Sequence, residues 1–308
     1  MRTVSYLSLP FLICHSMKVP RRRKPRRFTL GGFYRLVRVP NLLIIALTQY
    51  LVRIFLIGPR QEWRHYLLDF HLFLLVLSTV LIAAAGYIIN DYYDVKIDII
   101  NKPKRVVVGR LLRRRIAMGA HTVLNLLGLG IGMYLGKMVF LYNFVAGFLL
   151  WLYSNQLKRR PFVGNLVIAL LTAASLSVLA AYYRQHEQLV YTYAAFAFSI
   201  SLIREIIKDM EDVKGDASFG CQTLPILWGI RRTKQLLYVL MVAFPFIIYS
   251  MAQYLHPYLM LYFFVLVFLP LVWLNLRLVK ADTRREFGWL SSLCKWIMLS
   301  GVLSMLWL

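Results

Sequence analysis

The sequence predicts an all-α membrane protein of about nine transmembrane helices, on three observations. Apolar residues make up 59% of the chain and the mean hydropathy is +0.61, far above a soluble globule, which is roughly half apolar and a quarter charged. The apolar residues fall in runs near the twenty or so that a helix needs to cross about 30 Å of hydrocarbon. The basic residues alternate along the chain as positive-inside topology demands.

Nine stretches meet the length requirement: 41–58, 70–89, 116–135, 138–153, 162–183, 191–207, 235–255, 257–279 and 289–308. The third and fourth are parted only by Gly136 and Lys137, a turn signal rather than a loop. With the N-terminus inside, the inside segments hold ten Lys/Arg before residue 41, eight over 90–115, three over 154–161, six over 204–234 and five over 277–295. That leaves Arg53, Arg60, Arg64, Lys137 and Arg184 for the first span or the opposite face. The expected product is a multi-pass protein of the cell inner membrane, in two parts: a basic cytoplasmic tail over 1–40 and a nine-helix transmembrane domain over 41–308.

Within the tail, VSYLSLPFLIC after Arg2 has the length of a signal-peptide core but no A-x-A-like cleavage site, and RRRKPRR at 21–27 follows the apolar run instead of preceding it. Met17 is therefore expected as the start. The basic tract is read as solvated and drawn to anionic lipid headgroups, at about 1 kcal/mol per basic residue. The net charge of +24 thus points to membrane lipid and an anionic substrate, with no nucleic acid expected as a partner. Cys14, Cys221 and Cys294 have no metal-ligand or disulfide spacing, and the six histidines form no ligand cluster.

Against 37 Lys and Arg the chain has only 13 Asp and Glu, and eight of these lie in or beside two windows, NDYYDVKID at 90–98 and KDMEDVKGD at 208–216. At 100° per residue Asp91, Asp94 and Asp98 share one helix face, and Glu205, Asp209, Asp212 and Asp216 follow i, i+4, i+7, i+11. Gly215 is a candidate helix stop that would leave Asp216 on a loop. Stacked carboxylates repel, by more near a membrane than in water, so a cation is expected between them. Hard oxygen donors without His or Cys suit Mg²⁺, and the pair of stripes reads as a two-sided clamp for a diphosphate bridged by that metal. Acids at helix ends are also read as ordinary solvated charges balanced by nearby Lys and Arg; two windows on one face of an acid-poor chain weigh against that. Lys158, Lys208 and Arg105 are the basic residues expected to bind phosphate oxygens, although positive-inside anchoring accounts for most of their neighbours.

The first window matches the N-D-x-x-D-x-x-x-D motif of the UbiA superfamily of intramembrane prenyltransferases through Asn90, Asp91, Asp94 and Asp98. REIIKDMEDVKGD resembles that superfamily's second aspartate motif through Asp209, Asp212 and Asp216, and its E-D-V-x-G-D form is similar to the digeranylgeranylglyceryl phosphate synthase branch. RVPN at 38–41, YSNQLKR at 153–159, GN at 164–165 and FGCQTLPILWG at 219–229 extend the likeness. Two departures stand out: NKPKRVVVG replaces N-R-P-x-R-P-x-P-S-G, and Tyr153 and Lys158 are five apart where some relatives have Y-x-x-x-K.

The resemblance implies nine helices around a central cavity, with a cytoplasmic cap bearing the aspartates and a lateral opening to lipid. It implies a Mg²⁺-dependent prenyl transfer, with two ions held by Asp91, Asp94, Asp98, Asp209, Asp212 and Asp216, and diphosphate bound by Asn90, Arg105, Lys158 and Lys208. The donor would be a polyprenyl diphosphate, geranylgeranyl by branch, and the lipophilic acceptor the hydroxyl of a prenylated glycerol phosphate. Tyr87, Tyr92, Tyr93, Tyr153 and Phe148 are candidates to wall an allylic cation, although packing is the commoner use of such rings. One rival is the same transfer to an aromatic ring, as in quinone, haem or chlorophyll tailing. Another is a cation transporter, which would place its ionisable groups at mid-membrane rather than at helix ends.

Overall fold

The computed structural model describes residues 30–101, 103, 106–251 and 257–308. The expected Met17 start, the 21–27 tract and Arg105 lie outside the described residues. A short helix, α1 (Leu30–Leu36), leads through Arg38 into the bundle. Then come α2 (Val39–Leu51, continued as a π-helical turn to Ile57), α3 (Trp63–Leu67), α4 (Phe70–Asn101), α5 (Arg114–Leu135), α6 (Lys137–Asn155), α7 (Val163–Tyr183) and α8 (Glu187–Ser218). The remainder is α9 (Leu224–Leu227), α10 (Gly229–Met251), α11 (Pro257–Phe263), α12 (Leu269–Lys280) and α13 (Arg284–Leu303), with a π-helical turn joining α11 to α12.

Eight rods among the described residues are long and apolar enough to cross a bilayer. A ninth, α10, is 23 residues long but opens on Arg231, Arg232 and Lys234, which lower its hydropathy. The all-helical construction follows from the solvent: lipid offers backbone groups no partners, so each segment must satisfy its own. This chain is an integral, multi-pass membrane protein.

Antiparallel alternation gathers the ends that matter. The ends of α4, α6, α8 and α12 and the starts of α2, α5, α7, α10 and α13 fall on one side. The turn between α5 and α6 is the single residue Gly136, at φ 131, a conformation that L side chains rarely adopt. Helices α4 and α8 are the most buried spans, while α5 and α6 expose most of their surface, as lipid-facing members of the bundle do.

At the far end from the gathered termini, Arg53 has no carboxylate in contact among the described residues but lies over two rings, with its guanidinium 3.9 Å from the Tyr66 ring centre and 4.2 Å from that of Tyr183. Cation–π attraction stands in for a direct ion pair, and the Tyr66 and Tyr183 hydroxyls in turn donate to Glu62 and Asp69.

The two acidic windows ride on the longest helices. Both α4 and α8 have 32 residues, or about 48 Å at 1.5 Å per residue, against about 30 Å of hydrocarbon. Counted from the first residue of each helix, Asp91 and Asp209 both lie roughly 32 Å along. The windows are therefore helical extensions that leave the apolar slab at matching heights. Gly215 does not stop its helix: α8 continues to Ser218, and Asp216 stays on it. The reason is tertiary, since the Asn101 side chain fills the space beside Gly215 and bonds to its backbone.

Candidate active site

The first window is the C-terminal part of α4. Asp94 is 4% exposed and takes two partners on one oxygen: the Asn90 amide donates to Oδ2 at 2.9 Å, and the Lys158 ammonium forms an ion pair with it. Lys158 comes from the turn Leu157–Arg159 after α6, against whose backbone Gly164 packs without room for a side chain. Asp91 pairs with Arg38, whose Nη2 donates to Oδ1 at 2.8 Å. Arg38 also lies over the Tyr87 ring at 4.8 Å. Its backbone is left-handed, at φ 54, a conformation that costs a non-glycine residue about 1–2 kcal/mol and persists only where surroundings hold it.

The second window occupies the end of α8. Asp209 accepts from the Asn165 amide at 2.8 Å, and Asp216 is 3% exposed with its Oδ1 buried and without a hydrogen-bond partner. The Arg284 Nη2 at the start of α13 stands 3.9 Å from Asp212 Oδ1. Lys208 turns back along its own helix to Glu205 at 3.3 Å, and Arg204 pairs with the same buried Glu205.

Asn101, the last residue of α4, ties the windows together. Its Nδ2 donates to the Asp212 carbonyl at 3.2 Å and its Oδ1 accepts from the Gly215 N–H at 3.1 Å. Arg284 in turn donates to the Asn101 carbonyl. Three helices thus meet at one backbone junction.

The charges of the two windows converge on Lys158. Burial works against its ammonium, but the field of Asp94, together with Tyr153 and Asp216, outweighs that cost and holds the pKa above the ordinary lysine value. Lys158 therefore stays charged across the neutral range. Arg38 is likewise held above its usual value: burial opposes its charge, and Asp91, Tyr87 and Asp98 oppose burial.

Of the residues picked from the sequence, Asn90, Asp91, Asp94, Asp98, Lys158, Lys208, Asp209, Asp212 and Asp216 all lie at this end of the bundle. Phe148 does not point inward; it is half exposed and packs on Trp151. Tyr92 and Tyr93 meet edge to face, and Arg114 lies over Tyr92. Arg38, Asn101, Asn165, Glu205 and Arg284 complete the constellation without having been singled out as site residues. RVPN and GN carried a signal for Arg38 and Asn165 but not for their partners.

Among the described residues no three His, Cys, Asp or Glu side chains are grouped closely enough to hold a metal ion. Cations and amides already occupy several of the carboxylates. The donor set nonetheless suits a hard divalent ion: carboxylates face one another from α4 and α8, and the buried Asp216 Oδ1 lacks a partner. The cavity of about 450 Å³ between α10 and α12, at Lys234 and Asp282, is lined by no residue of either window.

Known proteins resemble this chain in sequence and in fold. A protein named digeranylgeranylglyceryl phosphate synthase from Methanoregula boonei is 32% identical over 229 residues, covering 74% of this chain and 77% of its own length. One of the same name from Sulfurisphaera tokodaii is 29% identical, covering 82% and 89%. Among solved structures, one of digeranylgeranylglyceryl phosphate synthase superposes with a TM-score of 0.70 at 20% identity, over 91% of this chain and 99% of its own. A UbiA homolog from Archaeoglobus fulgidus bound to DMAPP and Mg²⁺ gives 0.60 at 18% identity, over 90% and 100%. The model of the UbiA prenyltransferase family matches residues 55–295, from the first span through the last window and into α13. The chain belongs to the UbiA prenyltransferase family and is a prenyltransferase.

Proposed function

We propose that the protein transfers a geranylgeranyl group from its diphosphate to the hydroxyl of a prenylated glycerol phosphate, forming an ether and releasing diphosphate, at the cytoplasmic face of the cell inner membrane and with Mg²⁺. The observation that carries this reading is the facing pair of carboxylate windows on α4 and α8 with Lys158 between them. The name shared by the relatives supports the acceptor class. The division into a tail over 1–40 and a catalytic domain over 41–308 belongs to the same reading.

Membrane embedding suits such a donor, because a polyprenyl tail loses about 0.8 kcal/mol for each CH₂ brought into water. The tail lies among the spans and the diphosphate at the charged end. Asp91, Asp94, Asp98, Asp209, Asp212 and Asp216 would hold Mg²⁺, as two ions. Bound there, Mg²⁺ supplies Lewis-acid neutralisation of the diphosphate charge.

The allylic C–O bond breaks with its electron pair leaving on the diphosphate, and the acceptor hydroxyl oxygen forms the new bond to carbon as its proton passes to the released diphosphate. Lys158 and Lys208 bind the departing oxygens, where negative charge grows toward the transition state. Asn90 and Asn165 orient Asp94 and Asp209 by the hydrogen bonds described above. Tyr153 and Tyr87 border the charged end with π-faces that stabilise positive charge and keep water away.

Purified protein given labelled geranylgeranyl diphosphate, Mg²⁺ and a panel of acceptors tests the reading. An ether product from the prenylated glycerol phosphate is expected. Products from aromatic acceptors alone would overturn the acceptor assignment.

A further inference from the structure

Two carboxylates of the windows are each held by a cation from another part of the chain, and a third is approached by one. Arg38, in the segment before α2, holds Asp91; Lys158, in the turn after α6, holds Asp94; Arg284, at the start of α13, approaches Asp212. None of these cations lies on α4 or α8, where the acids are. All three sit at segment junctions, and Arg38 does so with a left-handed backbone that its contacts must maintain.

A carboxylate oxygen engaged with an ammonium or guanidinium is a poor metal ligand until that pair opens. Opening it strands a cation near the membrane, where an unpaired charge is expensive. A diphosphate resolves both difficulties, since its oxygens accept from the stranded cations while the carboxylates turn to metal.

We propose that Arg38, Lys158 and Arg284 are exchangeable counter-ions, which hold the carboxylates against metal and pass to the oxygens of the donor diphosphate as those carboxylates are given up. The proposal rests on the metal-and-diphosphate reading above. It adds Arg38 and Arg284 to the diphosphate-binding residues and gives each cation two opposed effects. Each weakens Mg²⁺ binding by itself and strengthens Mg²⁺ binding in the presence of diphosphate. By linkage, Mg²⁺ and diphosphate raise each other's affinity through these residues, beyond their direct contact.

Titration calorimetry on the full-length protein in lipid nanodiscs tests this, with Mg²⁺ alone, and with Mg²⁺ at saturating inorganic pyrophosphate. Arg38→Met and Arg284→Met are compared with Lys96→Met, which removes one charge from an exposed position on α4 without opening any of the three pairs. The two pair variants are expected to bind Mg²⁺ alone at least about fivefold more tightly than wild type, and to lose about the same factor from the pyrophosphate enhancement. Lys96→Met is expected to change neither by more than about twofold, the scale of a screened surface charge. Arg284→Lys is expected to restore the wild-type pattern.

Pair variants that behave like Lys96→Met, or that bind Mg²⁺ more weakly, overturn the proposal. Arg284 is half exposed at a helix start, so its variant keeps the test available should Arg38→Met fail to fold. If wild-type protein binds neither Mg²⁺ nor pyrophosphate, the functional reading itself falls. If it binds both and the pair variants show no opposed effects, only the exchange falls.

Discussion

The contact between Asn101 and Gly215 is open to a double-mutant cycle with an unusual sign. A Cβ at position 215 would overlap the Asn101 amide, whose three terminal atoms are its nearest neighbours. Overpacking of this kind costs about 1–3 kcal/mol, whereas an alanine in place of a helical glycine gains up to about 1 kcal/mol when space allows. Gly215→Ala is therefore expected to destabilise the wild-type protein by about 2 kcal/mol, the overlap outweighing the propensity. Asn101→Gly removes two hydrogen bonds, each worth about 1 kcal/mol, and also the atoms that the new methyl would strike. In that background Gly215→Ala is expected to be neutral or stabilising. The coupling between the two changes is then on the order of 2 kcal/mol, well outside the 0.3–0.5 kcal/mol within which about independent sites add. Unfolding titrations in mixed detergent micelles measure all four corners of the cycle. Additive penalties would refute the claim that this contact keeps α8 helical through Asp216 and fixes its distance from α4.

Other outcomes follow from the same geometry. Asp94→Ala and Asp212→Ala are each expected to lower geranylgeranyl transfer at least about a hundredfold, on the scale of losing one electrostatic contributor to a transition state, and excess chelator to abolish it; full activity in chelator would contradict the role given to Mg²⁺. Arg53→Lys is expected to cost about 1–2 kcal/mol in unfolding titrations, because a compact ammonium cannot reach over both the Tyr66 and Tyr183 rings as the broad guanidinium does. Removal of residues 21–27 is expected to leave the transfer rate per folded molecule unchanged and to alter only membrane orientation or expression, which protease accessibility from each face would report.

The spans were legible because a single local property, twenty apolar residues in a row, decides them, and the acidic windows because acids are scarce in this chain. Helical spacing also put Asp91, Asp94 and Asp98 on one face without reference to anything distant. Partnerships were not legible. Arg38 reaches Asp91 across 53 positions, Lys158 reaches Asp94 across 64, and Asn101 reaches Gly215 across 114. Only the packing of whole helices brings such residues together. Gly215 was misread for a related reason: glycine signals a helix end when nothing crowds it, but here the missing Cβ makes room for a neighbouring helix and the α8 ladder runs on. Among the aromatics, position near a motif did not decide direction, since Phe148 faces outward while Tyr87 lies beneath Arg38.

The equal rise of α4 and α8 has a consequence for how isoprenoids are measured. A donor seized at that altitude hangs from its head, and adding another five-carbon unit only lowers its far tip toward the opposite leaflet. Any ruler for tail length must then lie in the depths, where Gln49 bridges Thr79 and the Ser175 carbonyl from a fully buried position. The jaws above would be blind to length.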